Sequence, residues 1–98
     1  MRTIILAAAI LTAVPAAAQD GSLRQAMDLG EIVGKSEVCD LTINEDALVA
    51  YMRDRGLLTV DLTAVVDRGR RYEAGREMSP AGCAAVRAVA IEQGLSAG

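Results

Sequence analysis

The chain contains no histidine, no tryptophan and no phenylalanine, and Tyr51 and Tyr72 are its only aromatic residues. Without histidine it lacks the commonest general base, the commonest metal ligand and a side chain that titrates near neutral pH. Ser-His-Asp and Cys-His catalysis are therefore excluded. Chemistry run by carboxylates alone, as in glycoside hydrolysis, survives in principle. A short chain without a large aromatic platform is nevertheless a poor scaffold for a sugar cleft. The two cysteines, Cys39 and Cys83, have no C-x-x-C spacing, which argues against redox catalysis. Two cysteines and no histidine also fall short of the four ligands of a structural zinc site. Asp40, Glu45 and Asp46 resemble part of a calcium loop only loosely, because the D-x-[DN]-x-[DN]-G pattern is missing. The expectation is a protein that is not an enzyme and has no metal and no cofactor.

Scarce aromatics limit the core as well, since these side chains carry the largest burial per residue. Leu, Val, Ile and Met must build it, diluted by much alanine. Small domains of this kind usually need a covalent staple.

The apolar run is confined to the N-terminus. Arg2 precedes a stretch from Ile4 to Val14 interrupted only by Thr12, Pro15 ends it, and Ala16-Ala17-Ala18 supplies an A-x-A site before Gln19. This is the pattern of a secretory signal peptide over residues 1–18, cleaved after Ala18. The run is short for a membrane span, which needs about 20 apolar residues. The expected mature domain is residues 19–98, with nine basic and thirteen acidic side chains and a side-chain charge of −4. Such a chain is not a natural partner for nucleic acid or anionic lipid. Export to the bacterial periplasm, or secretion, also makes a Cys39–Cys83 disulfide the leading reading. For a closed loop of about 45 residues the chain-entropy relation gives roughly 4 kcal/mol.

The remaining sequence reads as four short helices. The first spans Leu23 to Val38 with Ser22 as N-cap, and turns Leu23, Ala26, Met27, Gly30, Val33 and Gly34 inward. The second spans Glu45 to Arg55. Thr42 and Glu45 fit a capping box there, Asn44 competes as N-cap, and Gly56 stops the helix. Leu48, Tyr51 and Met52 form its inward stripe. Leu57 to Val60 is a short apolar link with no strand partner. The third helix starts near Asp61 and carries Leu62, Val65, Val66 and Tyr72, with Gly69 and Gly75 weakening its second half. The fourth starts with Ser79 as N-cap and Pro80 at the first position. It presents Cys83, Val86, Ala90 and Ile91 on one face and ends at Gly94-Leu95. The predicted fold is all-α: a small bundle of about four helices closed by one disulfide.

Two residue sets are candidates for recognition. Arg68, Arg70, Arg71, Tyr72 and Arg76 cluster on the third helix, where they form a binding face for an acidic or anionic partner or else a solvated helix end. Ala26, Gly30 and Gly34 give small residues at helical spacing. They serve either close packing by another helix of the same chain or a self-association face.

In size, export signal and Cys39-to-Cys83 spacing, the chain resembles the small acid-protective periplasmic chaperones. That resemblance implies a short helical protein with one disulfide that protects other proteins in acid. The functional expectation is a non-enzymatic factor that binds an envelope protein as an accessory, inhibitor or stress-protective protein. The alternatives are a carrier of a small apolar ligand and an envelope protein tethered by an uncleaved N-terminal segment.

Overall fold

The computed structural model describes residues 21–97, so the expected signal peptide over residues 1–18 and the expected cleavage site after Ala18 lie outside the described residues. Four helices and no strand occur among them: α1 (residues 21–38), α2 (Glu45–Asp54), α3 (Val60–Ala74) and α4 (Pro80–Glu92). No helix among the described residues is long and apolar enough to cross a membrane.

The helix starts follow side-chain chemistry. Asn44 accepts from the Ala47 amide at 3.0 Å, Thr59 from Leu62 at 3.1 Å and Ser79 from Gly82 at 3.0 Å. Asn44 rather than Thr42 caps α2, for two tertiary reasons. The Asn44 amide donates to the Leu95 carbonyl at 2.8 Å, which fixes residue 44 outside the helix. Glu45, the other half of the expected capping box, is drawn to Arg70 instead. Ser22 does not cap α1. Residues 21 and 22 are already helical, and an N-cap needs extended backbone.

Three helix ends share one device. After α1, the Leu41 amide reaches back to the Ser36 carbonyl at 2.9 Å while Asp40 adopts φ 61. After α2, Leu57 bonds to Met52 at 2.8 Å with Gly56 at φ 70. After α4, Leu95 bonds to Ala90 at 2.9 Å with Gly94 at φ 74. Each is a Schellman end in which a left-handed residue is followed by a leucine that turns into the core. Leu41, Leu57 and Leu95 are all buried. Burying a leucine fully is worth about 1.5–3 kcal/mol, so these caps also anchor the core. Asp40 fills the position that glycine holds in the other two, because a short polar side chain tolerates that conformation.

The main core joins Ala26, Leu29 and Val33 of α1 to Ile43, Leu48, Met52, Leu57, Val66 and Leu95, with Tyr51, Leu62 and Val65 packed around it. A second cluster holds Cys39, Leu41 and Ala90, flanked by Met78, Cys83 and Val86. The Cys39–Cys83 disulfide runs through it and ties the end of α1 to the first turn of α4, with 5.4 Å between the Cα atoms. Ile91, expected inward, is exposed. The face toward the core is set by Val86 and Ala90, and Ile91 lies about 100° around the helix from Ala90.

α1 and α3 cross at their glycines. A Cβ on Gly30 would lie 2.5 Å from the Val66 carbonyl oxygen and 3.2 Å from the Gly69 Cα. One on Gly34 would meet the Glu73 Cβ at 2.8 Å and the Arg70 Cα at 3.0 Å. The small-residue spacing therefore serves packing within the chain, and Ala26, Gly30 and Gly34 are all buried by it. Gly69 is the partner at this crossing, not merely a weak point in α3. Gly75 lies just beyond α3 as its C-cap, where it costs the helix nothing.

Candidate functional site

The glycine crossing leaves a groove along one side of α1 and α3. It encloses about 450 Å³ and is open to solvent. α1 contributes Leu23 and Met27, one turn apart, with Asp28 and Glu31 beside them. α3 contributes Val65, Arg68, Gly69, Tyr72 and Glu73, residues repeating at three- and four-residue intervals. Gly69 has no side chain to fill the floor, so one glycine both permits the crossing and deepens the groove. Leu23 is 43% exposed, Met27 56% and Tyr72 63%. This is the point where the apolar pattern misleads, since Leu23 and Met27 were expected in the core. The apolar arc of α1 is wider than its neighbours cover. Ala26, Leu29 and Val33 take the buried side, and the Leu23–Met27 flank is left over.

The arginine cluster divides. Arg70 points into the fold between two carboxylates. It donates through Nε to Glu37 at 2.7 Å and through Nη1 to Glu45 at 2.8 Å, and Nη2 reaches both at 3.3 and 3.2 Å. Those bonds, with Glu37 first and Glu45 second, raise its pKa above the ordinary arginine value. Arg70 thus clamps the end of α1 and the start of α2 to α3 and is committed to the fold rather than offered to a ligand. Arg71 pairs with Asp67 along α3 at 2.8 Å, an exposed pair worth little. Arg76 donates to the Tyr72 hydroxyl at 2.9 Å, with its guanidinium 5.3 Å from the ring centroid. It holds the ring at the groove edge. Arg68 lines the groove and has no ion-pair partner among the described residues. Of the five residues expected to cluster on α3, Arg68 and Tyr72 face the groove, Arg70 and Arg71 are engaged elsewhere, and Arg76 lies past the Gly75 cap, outside the helix, where it supports Tyr72.

The groove floor is apolar and aromatic, and its walls carry Asp28, Glu31, Arg68 and Glu73. Glu31 is engaged by Lys35, whereas Asp28 and Glu73 have no ion-pair partner among the described residues. Leu23, Met27 and Tyr72 offer a hydrophobic anchor surface flanked by charge, which suits recognition of an amphipathic surface. No family model, curated protein or solved structure matches this chain.

Proposed function

We propose that the protein is an exported, non-enzymatic factor of the cell envelope that binds another polypeptide through the α1–α3 groove. One observation carries the reading: Leu23, Met27 and Tyr72, three large apolar or aromatic side chains, are exposed together on a helix pair, α1 and α3, held by close glycine packing, and the disulfide ties α1 in turn to α4. A rigid surface loses little conformational entropy on binding, so such a patch is efficient at recognition. Carriage of a small apolar ligand draws on the same groove, whose volume of about 450 Å³ falls in the usual range for such sites. Its open shape favours a polypeptide, because a drug-sized ligand is normally enclosed over most of its surface. Export rests on the Ile4–Val14 run and the Ala16-Ala17-Ala18 site, and the disulfide agrees with an oxidising compartment.

A photo-crosslinking residue at Met27, with the exposed Ala85 of α4 as the control position, tests the reading in envelope extract. A discrete polypeptide adduct from position 27, absent from position 85 and lost in Tyr72→Ala, is the expected result. No adduct, or the same adducts from both positions, refutes it. Acid protection is one form of this function. It predicts suppression of client aggregation at low pH but not at neutral pH, and suppression at neither pH rules that form out.

A further inference from the structure

The groove's electrostatics go further than its apolar floor. Resting on the polypeptide-docking reading above, we infer that the occupant is a cationic amphipathic helix, an apolar stripe flanked on both sides by Lys or Arg. The walls are carboxylates on both helices. Asp28 and Glu31 stand on α1, Glu73 stands on α3, and Arg68 is the one cation lining the groove. Lys35 engages Glu31, and Arg76 is turned to the Tyr72 ring, so the charges without an ion-pair partner on the two opposing walls are Asp28 and Glu73 against Arg68. A partner that lays its apolar stripe on Leu23, Met27, Val65 and Tyr72 places its flanks beside Asp28 on one wall and Glu73 on the other. Basic residues on both flanks satisfy both.

The backbone selects a helix. A groove between two helices accepts anchors spaced three and four residues apart. Strand addition needs a free sheet edge, and the described residues contain no strand. The same carboxylates disfavour the other occupants. An anionic membrane surface would be repelled at Asp28 and Glu73. A second copy docked by the same face would bring two net-acidic rims together, each with a single arginine, Arg68, set against Asp28 and Glu73. Met27 adapts its shape to varied apolar partners, so the groove demands a charge pattern more than one fixed side chain.

The test uses the exported, oxidised protein and three fluorescent helical peptides with one apolar face and different polar faces: Leu/Lys, Leu/Gln and Leu/Glu. Binding is read by fluorescence anisotropy, and circular dichroism verifies that each variant is folded. The Leu/Lys helix should bind about tenfold more tightly than Leu/Gln at low salt, with the advantage shrinking as salt is added. The double variant Asp28→Lys/Glu73→Lys should abolish that preference. Met27→Asp should weaken binding of every peptide by about tenfold or more, and Tyr72→Ala serves the same purpose at a still more exposed site. Equal binding of Leu/Lys and Leu/Gln that Met27→Asp removes would overturn the cationic inference and leave the docking groove standing. Binding of no peptide, or binding indifferent to both Met27→Asp and Tyr72→Ala, would overturn both. Preferential binding to anionic vesicles, or self-association that Met27→Asp abolishes, would replace the cationic helix with a membrane or a second copy.

Discussion

Replacing Gly30 with alanine puts the α1–α3 crossing to a quantitative test. In an ordinary helix, Gly to Ala stabilises by about 1 kcal/mol, because alanine has less backbone freedom to lose. At Gly30 the added methyl would stand 2.5 Å from the Val66 carbonyl, where ordinary contact begins near 3.4 Å. The obstacle is backbone on a packed helix, so no side-chain rotation relieves it. Either α1 and α3 move apart by most of an ångström, loosening Ala26 and Val33 against Val66, or the backbone distorts. Overpacking of this kind costs about 1–3 kcal/mol. An overlap this large belongs at the upper end, which leaves a net loss of about 2 kcal/mol after the gain in helix propensity. For a domain of this size that lowers Tm by about 10 °C. Gly34→Ala should cost at least as much, since it meets Glu73 and Arg70 together. Gly69→Ala should cost less, its nearest contact being the Gly30 Cα at 3.3 Å. Gly21→Ala, with nothing within 4 Å, should be neutral or stabilising. Thermal and urea denaturation followed by circular dichroism, with the disulfide intact, ranks the four. If Gly30→Ala raises Tm as Gly21→Ala does, the close crossing does not exist and the groove beside it loses its frame.

Other perturbations bear on separate parts of the argument. Cys83→Ser should lower stability by about 2–5 kcal/mol, and a non-reducing peptide map should show Cys39 joined to Cys83 within one chain; free thiols in the exported protein would contradict it. Arg70→Met should cost about 1 kcal/mol, because the two carboxylates it bridges remain partly exposed, and Arg70→Lys should not restore the loss, since an ammonium cannot span both in a fork. Wild-type stability should fall toward that of Arg70→Met as salt rises, and an unchanged gap at high salt would show that the clamp acts by packing rather than charge. Intact mass of the exported protein should correspond to a chain beginning at Gln19, whereas a full-length species in the membrane fraction would favour the tethered alternative.

Much of the fold is legible in the residues themselves. Local chemistry is decided within a few positions, so Ser79-Pro80 marks the start of α4, and Gly56 and Gly94 mark the ends of α2 and α4. The four helices and the pairing of two cysteines follow from periodicity and elimination. Asp40 ends α1 by the same left-handed geometry but carries no glycine to announce it. Asn44 prevails over Thr42 only because the Leu95 carbonyl and Arg70 take hold of α2's first residues from elsewhere in the chain. The site itself depended on tertiary structure. Helical spacing puts Leu23 and Met27 beside Ala26 and Gly30, but only the placement of α3 decides which part of that wide apolar arc is covered. Likewise, the three arginines of α3, Arg68, Arg70 and Arg71, look alike in one dimension, and the fold turns Arg70 to Glu37 and Glu45 while leaving Arg68 beside Tyr72 at the groove. Capping and periodicity are short-range and can be read along the chain. Which face of a helix stays exposed depends on what packs against it, and that is set by Gly30 meeting Val66 and Gly69 and by Gly34 meeting Arg70 and Glu73, contacts that span 36 to 39 residues of sequence.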